Sequence, residues 1–357
     1  MRTLLKILSL VLLTSNVCKS QSGNLVKYYA AINQAELFIT DNKYDSAVQQ
    51  YNFAFITNTK PFAKDIYNAL LCNCKVKDYK NAYRYMYKLA QLGYPVEKIK
   101  SQKVCADFWL SPYGTKAKNL NKTVKPMYNH AYRRLICNMV HRDQQFRIMP
   151  GSYTVYGDTI YKIDKNNVEL FREYISKYGF PSEYKIGVDT GGWIDPIYKV
   201  IILHQSTSDK QIYNFSADLR TAISRGELEN HSGAEMIMRN DGVTMFDAWG
   251  LVEVQFDSIF YKKNSNGNID TVTTRYRSGL GVYPCSDAEA IKYNRERKQI
   301  MLEAIADYYK KLRAQAKQED FHFLIPGSES VFIVNSYQQY LEVTKNLIVV
   351  KKPEVEF

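Results

Sequence analysis

Two segments in the N-terminal part of the chain repeat at a spacing of 35 residues, and this repeat restricts the fold more than any other feature. In "DNKYDSAVQQY" and "VKDYKNAYRYM", Tyr44 aligns with Tyr79 and Ala47 with Ala82. Helical periodicity continues on both sides, and a small alanine lets one helix of a hairpin approach its partner closely. A period in the mid-thirties is typical of arrays of helix-turn-helix units. The sequence therefore predicts helical hairpins in this region.

This region, about residues 25–95, resembles tetratricopeptide repeats. It has two clear units, neither with the full motif, whereas about three are usually needed for a stable stack. The stretch that follows, up to Phe108 and Trp109, is expected to supply a capping turn and helix. The resemblance implies a concave groove that binds a protein or a peptide. A structural spacer is the alternative, and the sequence leaves both open.

The chain is expected to divide after these hairpins. The segment "SPYGTKAKNLNKTVKP", residues 111–126, has Gly, Pro and Asn but few apolar residues, which predicts a linker. Helical and strand patterns mix beyond it. The expected fold class is therefore α+β, with all-α helical-repeat hairpins in residues 21–110, the linker in 111–126 and a mixed α+β domain in 127–357.

Local patterns predict the elements of this last domain. Helices are expected over about 127–148, from Asn166 or Asn167 to Gly179, from an N-cap at Asp195 through His204, and over about 287–317. The alternation in "LVEVQFDSIFYKK" and the turn "NSNGN" predict a β-hairpin with "IDTVTTRYR". The apolar runs "SVFIVN" and "NLIVVKK" predict two late strands.

The first 20 residues have the three-part pattern of a secretory signal peptide. Basic Arg2 and Lys6 precede a short apolar run, and the small residue Ser20 stands before Gln21. We expect cleavage after Ser20 and an extracytoplasmic protein, periplasmic or secreted. A lipoprotein anchored at Cys18 is the less favoured alternative, because "SNVC" lacks the usual leucine and small residue ahead of the cysteine. No later segment reaches the ~18 apolar residues of a transmembrane helix.

One span of the chain is strongly basic. Residues 108–142 contain no Asp or Glu but seven basic residues: Lys116, Lys118, Lys122, Lys125, Arg133, Arg134 and Arg142. The span is expected to be a solvated connector, and the alternative is a site for an anionic ligand. Because no aromatic platform accompanies the charge, nucleic acid is not an expected partner.

The cysteines do not imply a disulfide framework. The predicted mature chain has an odd number of them: Cys72, Cys74, Cys105, Cys137 and Cys285. The "CNC" at 72–74 lacks a second pair of ligands at zinc-finger spacing, so core packing is expected there. No phosphate-binding loop, zinc-protease motif or serine elbow is present, and we predict no cofactor and no metal.

A few polar residues fall where apolar ones are expected. On a helix over 127–148, Asp143 and Arg147 lie inside the apolar stripe, four residues apart, in the order that favours an ion pair. Each charge loses its water on burial, which costs several kcal/mol unless further polar groups complete the site. His204 follows an aliphatic run on another helix and is expected to be buried. A contact between Asp143 and His204 would satisfy both groups.

Four ordered motifs carry a second resemblance. They are "RDQQFR" at 142–147, "DKNNVELFREYISKYGFP" at 164–181, "ILHQSTSD" at 202–209 and "NRERKQIMLEAIADYY" at 294–309. Together they resemble a bacterial domain-of-unknown-function family with DQxxR and a later His motif, over about residues 130–310. The resemblance implies that the shared polar positions are Asp143, Gln144, Arg147, His204, Asn294 and Arg297.

Two classes of function fit these observations. The favoured hypothesis is a binding or interaction protein that holds a partner through its helical repeats. The alternative is a hydrolase or transferase in which His204 is the general base, Asp143 orients it, and Arg147 or Arg297 stabilises an anion. Gln144, Asn294 and Arg297 would then bind the ligand. An enzyme should place these groups on an open surface, whereas a structural cluster should be sealed from solvent.

Overall fold

The computed structural model describes residues 23–189, 195–206, 211–243, 245–246, 251–263, 267, 269–315, 320–323, 328–334, 336–345 and 347–351. The predicted signal peptide lies outside these residues. The chain forms two compact units. The first contains Met1–Val243, Lys298–Glu303 and Asp320–His322, and the second contains Thr244–Arg297, Ala304–Glu319 and Phe323–Phe357. Helices dominate and one four-stranded mixed sheet is present, so the protein is an α-rich α+β protein, as expected.

The first unit is helical throughout its described part. Its α-helices are α1 (23–40), α2 (Tyr44–Thr57), α3 (Ala63–Lys75), α4 (Tyr79–Gln91), α5 (Ala106–Leu110), α6 (Pro112–Ala117), α7 (Leu120–Thr123), α8 (His130–Gln145), α9 (Ser152–Tyr178), α10 (Glu183–Ile186), α11 (Lys199–His204), α12 (Ser216–Ser224) and α13 (Asn230–Asp241). Two 3₁₀ helices, Val96–Ser101 and Lys103–Cys105, connect α4 to α5.

The third helix is the most enclosed element of this unit. Every residue of α3 except Lys75 is buried. Helices α2 and α4 begin at the two aligned tyrosines, Tyr44 and Tyr79, and bury the two aligned alanines. Because α3 has no water-facing side, polar residues on it must find protein partners.

Residues 111–126 are folded, which differs from the predicted linker. They form α6 and α7, and Gly114, Ala117 and Leu120 are buried. Ser111 caps α6 by accepting a hydrogen bond from the Gly114 N–H at 3.2 Å. The first unit continues through this segment to Val243, so the compact units divide the chain at a later point than we expected. Short helices that bury only a few small residues leave little apolar pattern in a sequence.

The two helices that carry the site differ in length from the prediction. Helix α8 begins after Asn129, whose side chain accepts from the Tyr132 N–H at 3.0 Å. Helix α9 stops just before Gly179, as expected, but begins at Ser152. Asn167 is therefore not a cap: it is fully buried in mid-helix and donates to the Met139 carbonyl at 3.3 Å. The added first half of α9 exposes Tyr153 and Val155 and buries only Ile160 and Asp164, so it has no long apolar stripe in the sequence.

The helix that carries His204 is shorter than we predicted. It spans Lys199–His204, and Asp195 is not its N-cap. Instead, the Asp195 carboxylate accepts from the Lys199 ammonium at 3.2 Å. His204 is the last residue of α11, which places it at the edge of the packed helices.

The second unit contains the sheet, with strand order β3-β1-β2-β4. Strands β1 (Leu251–Lys263) and β2 (Ile269–Val282) form the predicted antiparallel hairpin, with an irregularity between Val254 and Gln255. The two late strands are also confirmed: β3 (Ser328–Val334) pairs parallel with β1, and β4 (Ile348–Lys351) pairs antiparallel with β2. Val252, Val254, Val334, Tyr340 and Leu347 form the core beside the sheet.

The remaining helices of the second unit are α14 (Asp287–Gln299), α15 (Ile305–Gln315) and α16 (Tyr337–Thr344). We expected one helix over about 287–317, and it is interrupted between α14 and α15. Met301 in the interruption has a φ of 58°, a left-handed conformation that ends a helix. Among the described residues, no helix combines the length and apolar character needed to cross a membrane.

Candidate functional site

The site lies in the first unit, where α8, α9 and α11 meet. Asp143 is in the last turn of α8 and is 1 % exposed. Arg147 follows the end of that helix, Asp164 lies in the middle of α9, and His204 ends α11. With Gln144, these residues form a connected polar group that we call the His204 cluster.

The structure brings Asp143 and His204 into contact. The Nδ1 atom of His204 lies 2.7 Å from Asp143 Oδ2, which also accepts from Gln144 Nε2 at 2.7 Å. An ionised carboxylate can only accept, so the network assigns the proton of the neutral imidazole to Nδ1. The Nε2 atom then has the lone pair. The carboxylate thus fixes both the orientation and the tautomer of the ring.

Arg147 is held between two carboxylates. Its Nη1 lies 3.0 Å from Asp143 Oδ1 and donates to the Asp143 carbonyl at 2.7 Å. Its Nη2 lies 2.8 Å from both Asp164 oxygens, and its Nε donates to the Tyr153 hydroxyl at 3.3 Å. These contacts use every nitrogen of the guanidinium. Arg147 therefore positions Asp143, in contrast to the anion-stabilising role that the sequence suggested for it.

Burial and pairing oppose each other at this ion pair. Burial disfavours the Arg147 cation, but the hydrogen bonds and charges of Asp164 and Asp143 outweigh it and raise the pKa of the guanidinium above its ordinary value. Burial raises the pKa of the Asp164 carboxyl above its usual value, against the opposing effect of Arg147. Two carboxylates, Asp143 and Asp164, thus share the one guanidinium of Arg147.

The cluster reaches solvent at the imidazole. The side chain of His204 is 25 % exposed, whereas those of Asp143, Arg147 and Asp164 are at most 7 % exposed. A buried carboxylate behind a part-exposed imidazole is an arrangement that can take up and release protons. From the sequence we considered two arrangements, three residues on an open surface or a cluster sealed from solvent. The His204 cluster matches neither, because only its imidazole is partly exposed.

Asn294 and Arg297 belong to the second unit and have structural contacts there. The Asn294 side chain accepts from the Ile305 N–H at 2.8 Å, at the start of α15. Arg297 is 1 % exposed, donates to the Phe246 carbonyl at 2.6 Å, and lies over the Tyr308 ring at 4.7 Å from its centre. Both residues therefore have protein partners within the second unit.

A second polar cluster was not predicted. The Lys64 ammonium is buried and lies 2.8 Å from Glu36, 3.3 Å from Asp65 and 3.8 Å from Glu229. The Tyr28 hydroxyl donates to Asp65. The sequence gives one sign of it, since Lys64 and Asp65 start a helix that is otherwise mostly apolar.

Glu183 is a further carboxylate whose charge interacts with those of Lys64, Asp65 and Glu229. It accepts from the Ala63 N–H at 2.7 Å. Burial, with the charges of Asp65 and Glu229, raises the pKa of Glu183 to about 8, although the Ala63 N–H and Lys64 oppose the shift. Burial also raises the pKa of Asp65 to about 6, and Lys64 opposes that shift. We call Glu36, Lys64, Asp65, Glu183 and Glu229 the Lys64 cluster.

Part of the basic span is engaged in the fold. Arg133 donates to the Ile186 carbonyl at 2.6 Å and lies over the Tyr128 ring, and Lys116 lies over the Tyr113 ring. In the part of the chain that the structure describes, no group of His, Cys, Asp and Glu has the arrangement of a metal site.

Comparisons with protein-family models, with curated proteins and with solved structures find no match for the chain. The two resemblances drawn from the sequence therefore stay predictions.

Proposed function

We propose that the first unit has a general acid–base site centred on His204 and that the protein is a hydrolase or a transferase. The observation that carries this proposal is the 2.7 Å contact between buried Asp143 and part-exposed His204. A neutral imidazole with its Nδ1 proton held by a carboxylate presents Nε2 as the base. It would take a proton from water or from a substrate hydroxyl as that oxygen attacks.

The other members of the cluster support this base. Asp143 orients the ring and stabilises the imidazolium that forms on proton uptake. Arg147, fixed by Asp164, pairs with Asp143, and Gln144 donates to the same carboxylate oxygen that His204 contacts. Since no covalent nucleophile is evident in the sequence, water or an acceptor hydroxyl is the attacking group.

A panel of chromogenic carboxylic esters, phosphate esters and glycosides tests the proposal. We expect His204→Gln to lower kcat/KM roughly 10²- to 10⁴-fold on the substrate that the wild type turns over. The matched control is His141→Gln, which changes an exposed histidine on α8. Equal activity of the two variants would exclude His204 as the base.

We propose as a second candidate that the N-terminal helices bind a protein or peptide. The observation that favours it is the equivalent placement of α2 and α4, which begin at Tyr44 and Tyr79 as two tetratricopeptide-like units would. Helix α3 is buried and offers no surface to a ligand. Exposed Phe53 and Ile56 on α2 are therefore the apolar contacts that a partner would use.

A binding partner can be sought by cross-linking the full chain to proteins of the same extracytoplasmic fraction. Phe53→Ser with Ile56→Ser should abolish a specific cross-link, whereas Val155→Ser, at an equally exposed apolar position on α9, should leave it intact. If both variants gave the same cross-linked products, Phe53 and Ile56 would not form the binding surface.

We propose that the protein is exported and begins at Gln21. N-terminal sequencing of the native protein tests the location. An acylated Cys18 would identify a lipoprotein instead, and an intact Met1 would overturn export.

A further inference from the structure

Two cysteine side chains of the first unit lie closer together than unbonded atoms of their size allow. The Sγ atoms of Cys74 and Cys105 are 2.7 Å apart. Unbonded carbon atoms rest ~3.5–4.0 Å apart, and sulfur is larger than carbon. A disulfide brings the two sulfurs to ~2.05 Å. The observed separation lies between these values, so formation of a bond would remove a close contact.

The backbone holds this pair in place. Cys74 is in the last turn of α3, and Cys105 ends the 3₁₀ helix Lys103–Cys105 that precedes α5. Both residues are buried, at 5 % and 0 % exposure. Cys72 is buried on the same helix but lies two residues earlier, on a different face. The geometry thus selects one partner for Cys105.

We propose that Cys74 and Cys105 form an intramolecular disulfide when the chain folds in the presence of a disulfide oxidant. In the first step, one thiolate attacks glutathione disulfide, forms a mixed disulfide and releases glutathione thiolate. In the second step, the other cysteine attacks the mixed disulfide and releases a second glutathione thiolate. The two cysteines lose two electrons and two protons, and the two glutathione molecules gain them.

The timing of this reaction follows from burial. The contact with Cys74 and the loss of water both raise the pKa of the Cys105 thiol far above its ordinary value. In the folded, reduced protein Cys105 therefore has very little of the thiolate form that attacks a disulfide, and the burial of both cysteines limits access of the oxidant. Oxidation should be rapid during folding and slow afterwards, and the finished bond should resist reduction in the native state.

This pairing accommodates the odd number of cysteines expected in the mature chain, because it needs only two of them. It also does not depend on the activity proposed for His204 or on the place of the protein in the cell, since the oxidant is supplied in the test. An exported protein would meet such oxidants during folding.

The test refolds the full chain with reduced and oxidised glutathione, blocks free thiols with iodoacetamide, and digests with trypsin without reduction. We expect mass spectrometry to find residues 65–75 joined to residues 104–116, the tryptic peptides that contain Cys74 and Cys105. Because Cys72 shares the first peptide, Cys72→Ser is the matched control and should keep the link. Cys74→Ser should lose it.

Thermal unfolding gives a second measurement. Reduction should lower the Tm of the oxidised wild type by roughly 10 °C, because the bond closes a loop of some thirty residues. The same treatment should leave the Tm of Cys105→Ser unchanged. Alkylation of both Cys74 and Cys105 in the refolded wild type, or a link that persists in Cys74→Ser, would overturn the proposal.

Discussion

The substitution Asp143→Asn tests whether the His204 cluster depends on a buried charge. The new amide has the same shape but no charge, so it removes the ion pair with Arg147 at 3.0 Å and changes the partner of His204. Such a charge pair is worth about 5 kcal/mol at an effective dielectric constant near 20. In the opposite direction, the free energy of desolvation on burial is several kcal/mol smaller for the amide than for the carboxylate.

Arg147 keeps both hydrogen bonds to Asp164 in this variant, so it does not become an unpaired buried cation. We therefore expect a net loss of about 2–3 kcal/mol in the free energy of unfolding. At 2–4 °C for each kcal/mol, this corresponds to a fall in Tm of about 4–12 °C. Calorimetry of the full chain measures it.

The matched control is Asp158→Asn, the same chemical change at an exposed position of α9. It should alter the stability by less than about 0.5 kcal/mol. A second measurement, ¹⁵N NMR of labelled histidine, should show that His204 moves its proton from Nδ1 to Nε2, because the amide can donate to Nδ1. If Asp143→Asn matched the control in stability and left the tautomer unchanged, the reasoning would be refuted.

Three further predictions concern separate parts of the first unit. His204→Ala should cost about 1–2 kcal/mol in chemical unfolding, since Asp143 loses the contact with His204 but keeps the hydrogen bond from Gln144 and the ion pair with Arg147. An unchanged free energy of unfolding would contradict a stabilising contact. Glu183→Gln should flatten the pH dependence of unfolding, because the raised pKa means that the protonated carboxyl stabilises the fold. This contribution, about 5 kcal/mol for a shift from 4.5 to about 8, is fully present below pH 4.5 and is lost as the pH rises through about 8. A wild-type stability that rises over this range would contradict it. Gly114→Ala should lower stability by about 1–3 kcal/mol, because its Cβ would lie 2.2 Å from the Phe108 carbonyl oxygen. Gly157→Ala, whose Cβ meets nothing within 4 Å, is the control, and equal Tm values would show that the close approach is absent.

The sequence predicted the parts of the fold that have strong local patterns. The β1–β2 hairpin and both late strands followed from alternation and turn residues, and they are confirmed. The charged pair Asp143 and Arg147 was recognisable because it interrupts an apolar stripe. Their contact with His204 required only that each buried polar group finds a partner.

Other features left no such pattern. Asp164 carries the other half of the Arg147 pairing, but its position on α9 is indistinguishable in sequence from a solvated acid. The Lys64 cluster joins residues from four helices or their ends, and its nearest sequence clue is the adjacent pair Lys64 and Asp65. The break near Met301 contains no Gly or Pro. Each of these depends on long-range packing, which overrides local propensity.

The enclosure of α3 limits how this protein can diverge. Surface helices accept most substitutions, but on α3 nearly every new side chain must fit an existing space and match an existing polar partner. We expect a saturation scan of the chain to show a continuous intolerant block over Ala63–Cys74. Related proteins that keep the fold would then share a nearly fixed segment of twelve residues. That segment would be the most useful part of the sequence for recognising distant relatives.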